Sequence, residues 1–154
     1  MRHNKAGFKL KRDVSARRAL LRNIVTSVIL EERVITTVPK AKAAKPIVDQ
    51  IISLAKREKK EEQLHARRQA ASYLLTPASV QKLFDQIGPR FATRNGGYTR
   101  VVRVGFRKGD GAETAMLELV GSELVRRAAD RAKRREEKLK AMQEGREGGE
   151  PAES

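Results

Sequence analysis

The N-terminal segment carries more positive charge than a protein core can bury, and this limits where the folded domain can begin. Residues 1–22 contain eight Lys or Arg side chains and one acid, Asp13, so their net charge is +7 (eight minus one). Such a segment repels itself and buries little apolar surface, so it has little tendency to order alone. An anionic polymer would neutralise the charge and release counterions. We therefore predict an extended basic arm over residues 1–14 that binds an anionic partner.

The charge excess lies almost entirely before residue 121. Residues 1–120 contain 25 basic and 11 acidic side chains, a net of +14, whereas residues 121–154 contain nine and eight, a net of +1. A length of 154 residues suits one domain with a modest core. We predict a globular domain over residues 15–120. A charged extension over residues 121–154 is expected to begin as a helix and end in disorder.

Hydrophobic periodicity predicts an α+β fold in which about four helices pack on a small three-stranded sheet. The first helix is expected over about residues 15–32. The second follows Pro39, and a kink or break is expected near Pro46 because proline removes a helical hydrogen bond. Strands are expected over residues 33–38, 98–106 and 114–120, and the last two form a hairpin.

The third helix is expected over about residues 62–75, and the fourth follows Thr76, which suits an N-cap position. Gly88 and Pro89 are expected to end the fourth helix. The side chains of the third helix expected to face the core are Leu64, Ala71, Leu74 and Leu75. In the last strand, alternation points Ala115, Leu117 and Leu119 towards the core and Thr114 and Glu118 outwards.

The residues that catalysis would require are missing from the sequence. There is no cysteine, which fits a reducing cytosol, and neither His3 nor His65 belongs to a catalytic pattern. The glycines within residues 95–97 and 109–111 match neither a dinucleotide-binding motif nor a P-loop, so both segments are expected to be turns. The first turn could also let the backbone approach a phosphate closely. We predict no enzymatic activity, metal, cofactor or small-molecule substrate, and the short apolar runs predict no membrane partner.

Three basic stretches favour a nucleic acid as the anionic partner. They are the arm, the start of the second helix with Lys40, Lys42 and Lys45, and the hairpin region with Arg90, Arg94, Arg100, Arg103, Arg107 and Lys108. Phe8, Phe91 and Tyr98 lie among basic residues, where a base could stack. Because no zinc finger or clear helix-turn-helix is present, we expect contacts mainly to the phosphate and ribose of a folded RNA. A DNA-binding nucleoid protein and an RNA-modifying enzyme are the alternatives; the first lacks a recognition helix and the second a catalytic set.

Several segments of the chain, in order, resemble one known family. The chain opens with MRHNKAGFKLKRDVSARRALLRNIVTSVILEERVITTVPKAKAAKPIVDQIISLAK, followed later by HARRQA, KLFDQIGPRFATRNGGYTRVVRVG and MLELV. These segments are similar to the bacterial large-subunit ribosomal protein L17 family. The resemblance covers residues 1 to about 120. The departures are Ser53, where the family more often has Thr, Phe8, which is often a basic position, and the tail beyond residue 121, to which nothing carries over from the family.

The resemblance implies a two-layer α+β domain with a structural role in the ribosome, and hence a cytoplasmic location. It implies binding to large-subunit ribosomal RNA (23S class) and contact with neighbouring ribosomal proteins, without a catalytic residue or a cofactor. We expect RNA contacts from basic residues of the arm and of the domain. These residues are Arg2, His3, Lys5, Lys9, Lys11, Arg12, Arg17, Arg18, Arg22, Lys40, Lys42, Arg67, Arg68, Arg94 and Arg100.

Overall fold

A computed structural model of the chain describes residues 7–56 and 60–121, together with Arg135. The described residues up to Val120 belong to one compact unit. Of the second unit, which starts at Gly121, the structure describes only Gly121 and Arg135. The predicted contacts of Arg2, His3 and Lys5, and nearly all of the predicted extension, lie outside the described residues.

The described part of the chain is an α+β fold, as the sequence predicted. Helix α1 is followed by strand β1, helices α2 and α3, a segment that is helical from α4 to α5, and a hairpin of strands β2 and β3. Their bounds are α1 Val14–Glu31, β1 Arg33–Thr37, α2 Val38–Ala55, α3 Lys60–Tyr73, α4 Pro77–Lys82, α5 Gly88–Arg90, β2 Thr99–Phe106 and β3 Glu113–Leu119. A π-helical turn, Leu83–Ile87, joins α4 to α5.

Helix α1 buries an apolar stripe and ends at an unusual residue. Ile24, Val25, Val28 and Ile29, spaced three and four residues apart, are buried in the core, as predicted. Glu32 then adopts the left-handed conformation with a φ of 62°, and its backbone N–H donates to Val28 O at 2.9 Å. This bond satisfies one of the carbonyl groups that a helix end leaves unpaired.

Helix α2 lies at the centre of the fold, in contact with α1, α3 and the sheet. Pro39 occupies its first turn, as predicted. A kink or a break was predicted near Pro46, and the break is wrong, because α2 continues through this residue to Ala55. Proline inside a helix costs roughly 3 kcal/mol. Here the ring lies on the exposed side of the helix, while side chains such as Val48 and Ile52 are fully buried on the other side and offset that cost.

Helix α3 faces the core with a different stripe from the predicted one. Its fully buried residues are Ala66 and Ala70, and Leu74, just beyond its end, is also buried. By contrast, Leu64 and Leu75 are 54% and 48% exposed. Ala71 is exposed as well. The prediction is confirmed for Leu74 and wrong for Leu64, Ala71 and Leu75, because most of the buried stripe of α3 consists of alanines.

Gly88 does not end the fourth helix, contrary to the prediction, since the helical segment continues to Arg90. Thr76 is the predicted N-cap, and its hydroxyl accepts from the backbone N–H of Ser79 at 3.4 Å. The glycine has a packing role instead. A Cβ at position 88 would lie 2.8 Å from Ala55 O, so only glycine lets this segment pack against the end of α2.

The sheet is antiparallel with the order β1-β3-β2, so β3 is the central strand. Ala115, Leu117 and Leu119 are fully buried on its inner face, as predicted. Glu118 lies on the opposite face, where the sequence placed it, but is only 7% exposed. Its neighbours explain this, because Arg33 and Arg100 are its partners in the register on the two sides.

Candidate nucleic-acid interface

The residues just before α1 and in its first turns form a cluster of exposed cations. We call Lys9, Lys11, Arg12 and Arg18 the α1 cation cluster; all four are exposed. Within the described part of the chain, no ion pair or side-chain hydrogen bond engages any of them. Arg17, also predicted to bind RNA, is half-buried. The four cations of the cluster are therefore available to an external anion.

Asp13, the acid inside this cluster, is engaged locally. The hydroxyl of Ser15 donates to Asp13 Oδ2 at 2.6 Å. This hydrogen bond is the main reason why the pKa of Asp13 lies below its usual value, and the charge of Arg17 contributes in the same direction. The backbone before Asp13 is tightly turned, since Leu10 and Lys11 have φ values of 56° and 51° and Arg12 N donates to Lys9 O at 3.2 Å. The turn is consistent with presenting the basic side chains outwards.

Arg22 has a role within the fold that the sequence did not predict. Its Nε donates to Tyr73 O at 2.6 Å and its Nη2 donates to Ser72 O at 3.1 Å. These carbonyls belong to the last turn of α3, so Arg22 caps that helix. The guanidinium carbon also lies 5.9 Å from the Tyr73 ring centroid. Burial raises the pKa of Tyr73, and the nearby charge of Arg22 opposes this shift.

A second group of free cations lies near the start of α2. Lys42 is exposed, and Lys40 and Lys45 are half-buried. None of the three has an ion-pair or hydrogen-bonding partner for its ammonium group among residues 7–56 and 60–121. Lys40 lies in the first turn of α2, where the positive end of the helix dipole adds to its potential.

The two arginines of α3 differ in whether they form an ion pair. Arg67 forms an ion pair with Asp85 at 3.1 Å and lies 4.8 Å from the ring centroid of Phe84. Arg68 is exposed and has no such partner within the described ranges. The neighbouring His65 is exposed as well.

Arg90 and Arg94, from the third basic stretch, are partly engaged within the fold. Arg90 Nη1 donates to Glu32 Oε2 at 2.9 Å, and Lys82 Nζ lies 3.5 Å from Glu32 Oε1. Both cations are largely buried, so this cluster fixes the end of α1 to the α4–α5 segment. Arg94 is exposed, and its Nε donates to Gly96 O at 3.1 Å.

Three arginines of the β2–β3 hairpin lie next to acids. Arg100 lies 3.7 Å from Glu118 on the adjacent strand, and Arg103 lies 3.8 Å from Glu113. In the turn, Arg107 Nε donates to Asp110 Oδ1 at 2.9 Å. This pair lowers the pKa of Asp110 to about 2 and raises that of Arg107. The hairpin therefore presents much less net charge than its arginine content suggested.

The expectation that bases could stack on Phe91 and Tyr98 is wrong. Both side chains are buried, at 3% and 4% exposure, and their rings meet edge to face with centroids 5.2 Å apart. Phe8 is 47% exposed and remains available for stacking. The most exposed aromatic residue, Phe106 at 74%, was not singled out by the sequence. Its position directly after Gly105 at the end of a strand was the available signal.

Other kinds of site find little support in the part of the chain that the structure describes. No group of three or more potential ligands (His, Cys, Asp or Glu) there could hold a metal ion. None of the described helices is both long and apolar enough to cross a bilayer. A groove between α3 and α4 is lined by Leu75, Pro77 and Val80, with the Arg67–Asp85 ion pair also in its wall.

Comparison with known proteins identifies the family. The family model described as ribosomal protein L17 matches residues 20–120. A protein of Solibacter usitatus named large ribosomal subunit protein bL17 is 65% identical over 147 residues, covering 96% of this chain and 95% of that protein. Proteins of the same name from Koribacter versatilis and Allorhizobium ampelinum are 54% and 47% identical, covering 93% and 86% of this chain and 90% and 92% of their own lengths. At such identity over nearly full length, the chain belongs to the ribosomal protein L17 family.

Proposed function

We propose that this protein is a structural constituent of the large ribosomal subunit that binds and stabilises folded large-subunit rRNA. The relatives are named for that subunit, and the α1 cation cluster is the observation in this chain that carries the proposal. Four exposed cations without acidic partners are suited to phosphate oxygens, because no internal ion pair has to break when they bind. The protein acts in the cytoplasm, within the ribosome, and without an enzymatic step.

The proposed interface combines the arm with one part of the domain. Residues 1–14 supply contacts to the RNA, and residues 15–120 fix where the arm begins. Residues 121–154 carry a net charge of only +1 (nine minus eight) and are proposed to contribute little to RNA binding. Contacts to phosphate and ribose read the shape of a folded RNA.

The cations of the proposed interface are not expected to contribute equally. Lys42 and Arg68 are expected to contribute as the residues of the α1 cation cluster do, because neither has an ion-pair or hydrogen-bonding partner among the described residues. Arg67 and Arg100 form ion pairs with Asp85 and Glu118, so a phosphate would have to compete with these carboxylates. Arg22 already donates to two carbonyls, so its loss should destabilise the fold as well as any RNA contact.

The first test is sedimentation. Cell extracts are separated on sucrose gradients after a high-salt wash, and each fraction is analysed by mass spectrometry. Stoichiometric recovery with the large subunit supports the proposal. Loss on washing, or sedimentation with chromatin, would contradict it and favour the nucleoid alternative. Tight binding to duplex DNA that rRNA fails to displace would have the same meaning.

A matched pair of variants then tests the interface. Lys11→Gln with Arg12→Gln removes two charges from the α1 cation cluster. Arg103→Gln with Arg107→Gln removes two charges from exposed positions of the hairpin, where each arginine faces an acid. With deproteinised large-subunit rRNA, the first pair should lower affinity by about tenfold and the second by about twofold or less. Equal losses would show that the α1 cation cluster has no special role.

A further inference from the structure

The face of the sheet that points away from the core is apolar at its centre. In the register, Met116 on the central strand lies between Ile35 on β1 and Val102 on β2, so these three side chains form one row on this face. Ile35 is 64% exposed and Val102 is 37% exposed. We call this surface the open face of the sheet.

A β-bulge lies on β2 beside the apolar row. The register shifts between Arg103 and Gly105, which leaves Val104 as the extra residue. Val104 is 56% exposed and adds an aliphatic side chain to the surface at this end of β2. The row itself consists of Ile35, Met116 and Val102 and crosses all three strands.

The charges around this row are few and lie at one end. Glu118 lies between Arg33 and Arg100 in the register, and its carboxylate is 3.7 Å from Arg100. Arg33 is exposed and, among the described residues, forms no ion pair. At the other end the partners in the register are Thr37 and Thr114, which are uncharged. Among the residues that the structure describes, the open face therefore carries a net charge of +1, from two arginines and one glutamate.

We propose that the open face of the sheet binds an apolar polypeptide segment of a neighbouring protein, with a carboxylate of that segment placed at Arg33. An RNA surface would need several unpaired cations, as in the α1 cation cluster, whereas this face presents aliphatic side chains and one unpaired arginine. Rows of exposed aliphatic residues of this kind mark protein contact sites. The inference rests on the proposed function, since the neighbouring protein is a component of the same large subunit.

Site-specific cross-linking tests the inference, and the absence of cysteine from the chain makes it practical. Val102→Cys and Ile35→Cys each provide a single attachment point for a photo-cross-linker on the open face. Lys42→Cys provides the matched control on α2. Each purified variant is labelled, reconstituted into large subunits that lack the native chain, and irradiated.

The cross-linked species decide between the possible occupants. The expected result is that the Val102→Cys or Ile35→Cys variant becomes attached to another polypeptide, while the Lys42→Cys variant becomes attached to rRNA. Attachment of the open-face variants to rRNA would overturn the inference, as would attachment to residues 121–154 of the same chain, or no cross-link at all. If the labelled proteins do not enter large subunits at all, the proposed function is at fault instead. If they enter but the Lys42→Cys variant does not reach rRNA, the predicted RNA contact of Lys42 is wrong.

A binding measurement separates the two surfaces further. Ile35→Ser removes a large apolar side chain from an exposed position, so the variant should fold. Its affinity for deproteinised large-subunit rRNA should equal that of the unmodified protein. Its retention on large subunits after a high-salt wash should fall by about tenfold, because apolar contacts resist salt better than phosphate contacts do. Unchanged retention would overturn the inference, even if rRNA binding is confirmed.

Discussion

The start of α1 and the β2–β3 hairpin are both rich in basic residues, but their charges have different fates. Before and within the first turns of α1, Lys9, Lys11, Arg12 and Arg18 have no acidic partner among the described residues. In the hairpin, three arginines each lie within 4 Å of a carboxylate. The number of basic residues in a segment therefore says little about the charge that the segment offers to a partner.

Strand register in the hairpin and the scarcity of acids near α1 explain the difference. In the antiparallel hairpin the register places Arg100 directly opposite Glu118, and the tight turn brings Arg107 to Asp110 three residues later. Around the start of α1 the single acid is Asp13, and its side chain accepts a hydrogen bond from Ser15. Pairing in the hairpin follows from strand register, and its absence near α1 follows from the scarcity of acids there.

The largest effect is expected on stability, at Glu32, whose carboxylate forms an ion pair with Arg90 of the third basic stretch. Replacing Glu32 with alanine would leave Arg90 and Lys82 largely buried without their carboxylate. The free energy of unfolding should fall by about 3 kcal/mol. Urea denaturation followed by circular dichroism measures this loss.

The RNA affinity of the Glu32→Ala variant tests whether Arg90 serves the fold or binds RNA. Under conditions where Glu32→Ala is still folded, its affinity for large-subunit rRNA should be unchanged, because Arg90 serves the fold. The control is Glu31→Ala, which removes the neighbouring exposed acid and should alter stability by less than about 0.5 kcal/mol. A stable Glu32→Ala variant with stronger RNA binding would mean that Arg90 belongs with the RNA-binding cations.

The fold was predictable where a single periodicity was unambiguous. Strict alternation gave the correct inner face of β3 with Ala115, Leu117 and Leu119. Helix α3 was predicted, but most of its core face was not, because that face contains Ala66 and Ala70, and hydrophobicity alone ranks leucine above alanine. Which face of α3 is buried depends on α2 and α4, which it contacts, and not on the sequence of α3 alone.

The candidate site was predictable in its charge but not in its pairing. The sequence identified the basic stretches, whereas the acceptors of Arg22 are backbone carbonyls at positions 72 and 73, about fifty residues away. Phe91 and Tyr98 pack edge to face across a short loop, which their spacing alone does not predict. Tertiary contacts of both kinds decide which basic and aromatic side chains remain free.

A smaller effect, on the salt dependence of rRNA binding, is expected when one cation is removed from α2 or from the β2–β3 hairpin. Lys42→Gln removes a free charge near the start of α2, and Arg100→Gln removes one that lies beside Glu118. The slope of log affinity for rRNA against log salt concentration should become shallower by about 0.7 to 0.9 for Lys42→Gln and change little for Arg100→Gln. Fluorescence anisotropy titrations at several salt concentrations measure both slopes. Identical slopes for the two variants would break the distinction between free and paired cations.

The smallest effect is expected on the pH dependence of stability, from the Arg107–Asp110 pair in the turn of the hairpin. The pKa of Asp110 lies at about 2, below its usual 3.8, because Arg107 donates hydrogen bonds to its carboxylate. A folded-state pKa below the unfolded value means that the pair stabilises the turn above about pH 3.8 and that this stabilisation is lost as the pH falls towards 2. An NMR titration of the Asp110 carboxyl carbon should give a midpoint near 2. In the Arg107→Gln control the midpoint should rise towards 3.8.

A midpoint near 3.8 in the unmodified protein would mean that Arg107 does not hold Asp110. The hairpin would then offer a free cation, as the start of α1 does, and the contrast between the two regions would weaken. A midpoint near 2 that rises when rRNA is added would point to a third arrangement, in which phosphate takes Arg107 from Asp110. The titration therefore distinguishes a cation that is merely close to an acid from one that is unavailable to RNA.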